Sequence, residues 1–212
     1  MSLDIFKYIF PFFLFALLTY APELPGVSLA WAYPVKTVLV GLVLIWFWQT
    51  FRSEIMPCLD WLAIVAGVFV FLVWVGLEGM YPMLGSPVGF DPYALAAEGP
   101  WVYILICFRI LGAVLVVPVM EEIFWRSFGL RVLDNSNFLK IPLGTFSWFP
   151  FIAVSVAFGI AHHRWLPGII AGLIYAALLY RSKNLFSPIL SHAVTNLLLA
   201  VYVLGTARWY FW

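Results

Sequence analysis

The stretch WVYILICFRILGAVLVVPVMEEIFWRSFGLR, residues 101–131, decides the fold. From Trp101 to Met120 it carries a single charge, Arg109. An apolar run of about 20 residues is what an α-helix needs to cross the hydrocarbon of a bilayer. The run then passes without a break into Glu121-Glu122-Ile123-Phe124-Trp125-Arg126. Charges in hydrocarbon cost several kcal/mol unless paired or wetted, so they read first as functional. Pro118 stands one turn before the glutamates and is expected to kink the helix, opening room beside the next turn.

The rest of the chain has the same character. Of 212 residues, 65% are hydrophobic and 10% charged, and the mean hydropathy is +1.02. A soluble domain carries about 25% charged residues. The expected fold is all-α, a polytopic transmembrane helical bundle of roughly six to eight spans. Spans are placed near 5–20, 35–51, 61–77, 101–131, 149–163, 165–181 and 187–204. One integral membrane domain covers 1–212, with the motif-bearing core at about 100–204. Its first partner is the lipid bilayer, and a net charge of +1 gives no reason to expect nucleic acid. The first apolar segment is expected to stay as a span. The small-residue triplet Ala30-Trp31-Ala32 lies too far beyond it for a signal-peptide cleavage site.

Cationic residues set the orientation. With the N-terminus in the cytoplasm, the inner side would hold Lys7, Arg52, Arg126, Arg131, Lys140, Arg181 and Lys183, and the outer side Lys36, Arg164 and Arg208. The 78–100 loop has Glu78, Asp91 and Glu98 but no Lys or Arg, which suits an outer loop. The mid-span Arg109 is expected to form a structural ion pair. Glu54 and Asp60 read as solvated loop charges, Cys107 as a small core residue, and Trp209–Trp212 as an interfacial anchor. Gly168 and Gly172 form a small-xxx-small pair suited to close helix packing.

Three short patterns carry chemistry. In Glu-Glu-x-x-x-Arg, Glu122 and Arg126 share a helix face and can pair. Glu121 points about 100° away and is free to face a cavity. In Phe158-x-x-x-His162, the ring and the imidazole share a face. In His192-x-x-x-Asn196, two donors lie side by side and can hold a developing oxyanion. A rise of 1.5 Å per residue puts Glu121, His162 and His192 roughly 15, 20 and 12 Å from the cytoplasmic side. The three groups are expected to share one level, reached from that side.

Together the three patterns, EEIFWR, FGIAH and HAVTN, resemble the signature of the type II CAAX prenyl endopeptidase family, the CAAX proteases and bacteriocin-processing enzymes. The stretches around them look like the bacterial subgroup called CAAX prenyl protease-related, which is associated with exosortase systems. The resemblance covers roughly residues 100–204. It implies a glutamate-type intramembrane endopeptidase of a bacterial inner membrane. Its partner would be a membrane-associated, lipidated peptide or protein, with a functional link to an exosortase system. Position by position, Glu121 and His162 correspond to the pair that activates water, His192 and Asn196 to the oxyanion hole, and Glu122, Arg126 and Phe158 to supporting residues.

No cofactor is expected. The competing reading is zinc held by Glu121, His162 and His192, with a fourth position open for water; no His-Glu-x-x-His motif accompanies it. Two non-proteolytic readings stand beside these: a scaffold or immunity-type membrane protein that binds a peptide without cutting it, and a transporter relaying protons through buried Glu and His.

Overall fold

A computed structural model describes residues 3–85, 89–96 and 99–212. Seven long helices form the body: α1 (Leu3–Thr19), α2 (Leu29–Trp46), α3 (Trp61–Gly76), α4 (Pro100–Val132), α5 (Trp148–Ile160), α6 (Trp165–Ser182) and α7 (Phe186–Thr206). α1, α2, α4, α6 and α7 are long and apolar enough to cross a membrane, and α3 and α5 are shorter apolar helices. At 1.5 Å per residue, α5 spans only about 20 Å and α3 about 24 Å.

Local chemistry sets the ends. Ser28 caps α2, its hydroxyl accepting from the Ala30 amide at 3.2 Å. The helix therefore starts six residues before the expected 35, with Pro34 accommodated near its beginning. Asp60 caps α3 by accepting from the Leu62 and Ala63 amides. Lys183, in the left-handed conformation, closes α6. Asn184 then accepts from the Met56 amide at 3.0 Å and donates back to the Met56 carbonyl at 2.6 Å, fixing the start of α7.

α4 is the spine. Its course is π-helical at Gly112–Val116 and again at Ile123–Gly129. The first π segment ends two residues before Pro118, whose ring cannot coexist with an ordinary i→i−4 turn. The expected kink is thus taken up as a π-bulge, a feature common at functional sites. The second follows directly on the glutamates.

Small residues let the other helices close in on one another around this spine. A Cβ on Gly67 of α3 would sit 2.5 Å from the Ser191 carbonyl of α7. Gly159, Gly168 and Gly172 allow the same intimacy between α5 and α6, where a Cβ on Gly172 would meet Ser155 at 2.9 Å.

Two loop charges are not solvated. Glu54 reaches Arg131 on α4 at 2.8 Å, accepts from Tyr8 at 3.2 Å and also accepts from Ser127. Asp60 accepts from Ser187 at 2.6 Å and pairs with Arg181. Burial opposes the charged form of Asp60, but the Ser187 hydroxyl, the Ala63 amide and Arg181 outweigh it and hold the carboxyl below its usual value. Cys58 and Cys107 are free and exposed, so Cys107 is not a core residue.

Candidate active site

The site begins on α4, where Glu121 and Glu122 leave the same turn in different directions. Glu122 is 0% exposed. One of its oxygens lies 3.0 Å from Arg126 Nε and the other 2.9 Å from His192 Nδ1. Arg126, 1% exposed, has its guanidinium 4.1 Å over the Phe158 ring and 5.3 Å over Tyr175. That ring contact spreads a buried charge over polarisable surface where water is excluded.

The carboxylate of Glu122 can only accept, so His192 Nδ1 carries the proton that joins them. His192 Nε2 is turned toward Glu121, 4.0 Å from Oε2. That oxygen is buried and has no hydrogen-bond partner among the described residues. It is an open acceptor at the wall of a cavity. Tyr175 stacks on the His192 ring at 5.1 Å, and its hydroxyl donates to Thr195 at 2.9 Å. Thr195 in turn donates toward the Gly67 and Ser191 carbonyls, both at 3.0 Å, which locks α3, α6 and α7 around the imidazole.

His162 lies just past the end of α5. Its Nδ1 donates to the Phe158 carbonyl at 2.7 Å, which leaves Nε2 as an acceptor. Asn196 Nδ2 donates to the Ala113 carbonyl at 2.7 Å, within the first π segment. An amide nitrogen has two hydrogens, so one donor stays available.

A cavity of about 710 Å³ joins these groups: Glu121, His162, His192 and Asn196 all line it, with Phe158 and Tyr175. Ile160, His163 and Arg164, Thr19 and Tyr20, Trp74, and Tyr210 to Trp212 line its other end. These residues belong to one end of the bundle, where α1, α3 and α5 finish. The expectation of access from the end bearing Arg131 and Lys183 is therefore overturned, since the cavity extends the opposite way. The short helices explain this: α3 and α5 both stop beside the cavity and leave it room. The turn at 161–164 is pinned to the loop after α3, by Arg164 to Glu78 at 2.8 Å and Trp165 to the Pro82 carbonyl at 2.9 Å. Arg109 has no acidic partner among the described residues, contrary to expectation; Glu98 lies outside them.

Among the described residues no group of three His, Cys, Asp or Glu side chains is placed to hold a metal ion. Sequence spacing did not reveal Tyr175, Thr195 or the π segments. Their roles arise from contacts between helices, and nothing in the local pattern marks them.

An all-helical bundle with a buried carboxylate, two imidazoles and a carboxamide on one cavity has the groups that hydrolysis inside a membrane needs. Residues 101–198 match the family model described as Type II CAAX prenyl endopeptidase Rce1-like. That segment, which holds all three motifs, is what the chain has in common with this family of peptidases. No curated protein and no solved structure matches the chain.

Proposed function

We propose that the protein is an intramembrane endopeptidase that hydrolyses a peptide bond of a membrane-associated substrate with water activated by Glu121 and His162. The observation that carries this is the convergence of Glu121, His162, His192 and Asn196 on one cavity, with Glu121 Oε2 left unpartnered. In this reading the water oxygen attacks the scissile carbonyl carbon while its proton passes to Glu121 or to His162 Nε2. The carbonyl oxygen becomes an oxyanion facing the free Asn196 N–H. His192 Nε2 can donate there only when the ring holds a second proton, a charge that Glu122 at 2.9 Å and Glu121 at 4.0 Å would balance. Collapse of the tetrahedral species breaks the C–N bond, and the proton first taken from water goes to the leaving amine. Glu122 fixes the His192 tautomer, and Arg126 balances its charge.

The reading is metal-free. The zinc alternative on Glu121, His162 and His192 is tested in the same assay. Purified protein in lipid nanodiscs should release peptide fragments from a membrane-peptide mixture, detected as new termini by mass spectrometry. Glu121→Gln should abolish release, and extensive chelation should leave it unchanged. Stoichiometric zinc whose removal ends activity would replace the metal-free mechanism. Equal release by Glu121→Gln would remove the protease reading and favour a peptide-binding scaffold. A lipidated substrate, an exosortase link and a cytoplasmic N-terminus belong to the same proposal. With that orientation the cavity mouth lies on the extracytoplasmic side.

A further inference from the structure

Away from the motif groups, the same cavity holds two cations that the mechanism does not use. Lys36 on α2 and Arg109 on α4 both line it. They flank one ring: Lys36 Nζ lies 4.9 Å and the Arg109 guanidinium 4.5 Å from the centre of Tyr33. Neither forms an ion pair with any described carboxylate. The buried guanidiniums of Arg126, Arg131 and Arg164, by contrast, each have a glutamate. Lys36, 7% exposed, donates to the Thr19 hydroxyl at 3.0 Å and lies 4.2 Å from the Phe15 ring as well as against Tyr33. Arg109 lies over Phe90 and Trp212 as well as Tyr33, and its Nε is buried without a hydrogen-bond partner. The Tyr33 hydroxyl is likewise buried and unpartnered. Two cations against one ring, with no carboxylate beside them among the described residues, repel each other and leave a place for an anion.

The cations also have a fixed relation to the reacting groups. Arg109, Ala113, Val117 and Glu121 recur every four residues along α4, and all four line the cavity. From residue 109 to residue 121 is twelve residues, about 18 Å along a helix axis. An extended peptide covers that distance in about five residues. On α4 the two residues between, Ala113 and Val117, are apolar.

We infer that Lys36, Arg109 and Tyr33 form a carboxylate-binding subsite, which selects substrates with an acidic group, either a free C-terminus or an acidic side chain, about five residues from the scissile bond. The inference rests on the endopeptidase reading for the word substrate; the binding of a peptide carboxylate stands on geometry alone. The ring cage holds the cations in place when the subsite is empty, and the Arg109 fork and Lys36 ammonium give a carboxylate several charge-assisted donors.

The test uses full-length Glu121→Gln protein in nanodiscs, so that binding is read without turnover. The probe is the acetylated hexapeptide Ala-Leu-Ala-Leu-Ala-Leu, with a free C-terminal carboxylate or as its amide. Binding is followed by tryptophan fluorescence. The acid should bind about 10-fold or more tightly than the amide. Arg109→Met and Lys36→Met should each bring the two probes to near equality, and Arg109→Lys should retain much of the preference, which guards against misfolding as the cause. Equal binding of acid and amide by the parent protein, or a preference that survives both Met variants, overturns the subsite. So does displacement of the acid probe by dihexanoyl phosphatidylglycerol at equal or lower concentration, which would assign the cations to a lipid phosphate. Cleavage by the otherwise unchanged enzyme is scored separately. If it cuts acid and amide equally, the subsite fails and the protease stands. If it cuts neither while the acid preference holds, the protease reading fails and the carboxylate site stands.

Discussion

Two ionic clusters occupy the same helix, α4, and differ in how completely their partners satisfy them. At its end, Arg131 meets Glu54 at 2.8 Å and the Ser127 carbonyl at 2.6 Å, while Glu54 also holds Tyr8 and Ser127. Every charge there is balanced and enclosed. Two turns earlier, Glu122 has its charge matched by Arg126 at 3.0 Å and accepts from His192 at 2.9 Å. Among the described residues its neighbour Glu121 has no cation nearer than the His192 ring at 4.0 Å, an oxygen with no hydrogen-bond partner and a cavity in front of it. A saturated cluster holds helices together. An unsaturated one, in a medium where an open acceptor is costly, is kept for a ligand.

The largest effects should separate the two neighbouring glutamates. Glu121→Gln is expected to lower peptide release by about 10³-fold, within the range that general-base catalysis contributes, and to leave the melting temperature near that of the parent. Glu122→Gln leaves Arg126 buried without its counter-charge. Removing one partner of a buried pair costs about 3–5 kcal/mol, so this variant should lose folded protein in detergent melts. If both variants fold equally well and lose activity equally, the division of labour between the glutamates is wrong.

The Glu54 cluster should respond in the opposite sense. Arg131→Met is expected to destabilise by about 3 kcal/mol or more through the stranded Glu54. Glu54→Gln in the same chain should recover part of that loss. Activity per folded molecule should be unchanged in both, measured by release normalised to monodisperse protein. A drop in normalised activity would extend the site down α4.

Smaller effects fall on supporting residues. Tyr175→Phe removes the hydroxyl bond to Thr195 and should cost about 1 kcal/mol, with a several-fold fall in release because the His192 ring is held less firmly. Asp60→Asn keeps a capping side chain but weakens the contacts with Arg181 and Ser187, and should cost about 1 kcal/mol at neutral pH. The Asp60 carboxyl titrates below its usual value in the folded protein. Its contribution is therefore fully present above the ordinary carboxylate range and is lost as pH falls through the folded value. The parent and the variant should converge in melting temperature as the pH is lowered, and a gap that widens instead would contradict the assigned partners.

Much of this was legible in the sequence. Seven apolar runs marked seven helices, and the spacing of Glu121, Glu122 and Arg126 separated a pairing face from a free one. What was not legible depended on partners far along the chain. Glu54 and Asp60 sit among loop residues, yet their cations are Arg131 and Arg181. The direction of the cavity was misjudged because it follows from where α3 and α5 stop. The π segments of α4 answer to Pro118 and to Asn196 across the helix interface, which a helical wheel does not show. Arg109 drew attention as a charge in a span, but its neighbour Lys36 lies on another helix, and only the fold sets both against Tyr33.

The most direct test of the central claim is to run the reaction in water enriched in ¹⁸O and weigh the newly formed C-terminus. The account predicts one ¹⁸O atom incorporated per cleavage by the parent protein and about 10³-fold less product from Glu121→Gln. Product formed at the parent rate by Glu121→Gln, or cleavage without the label, would contradict it.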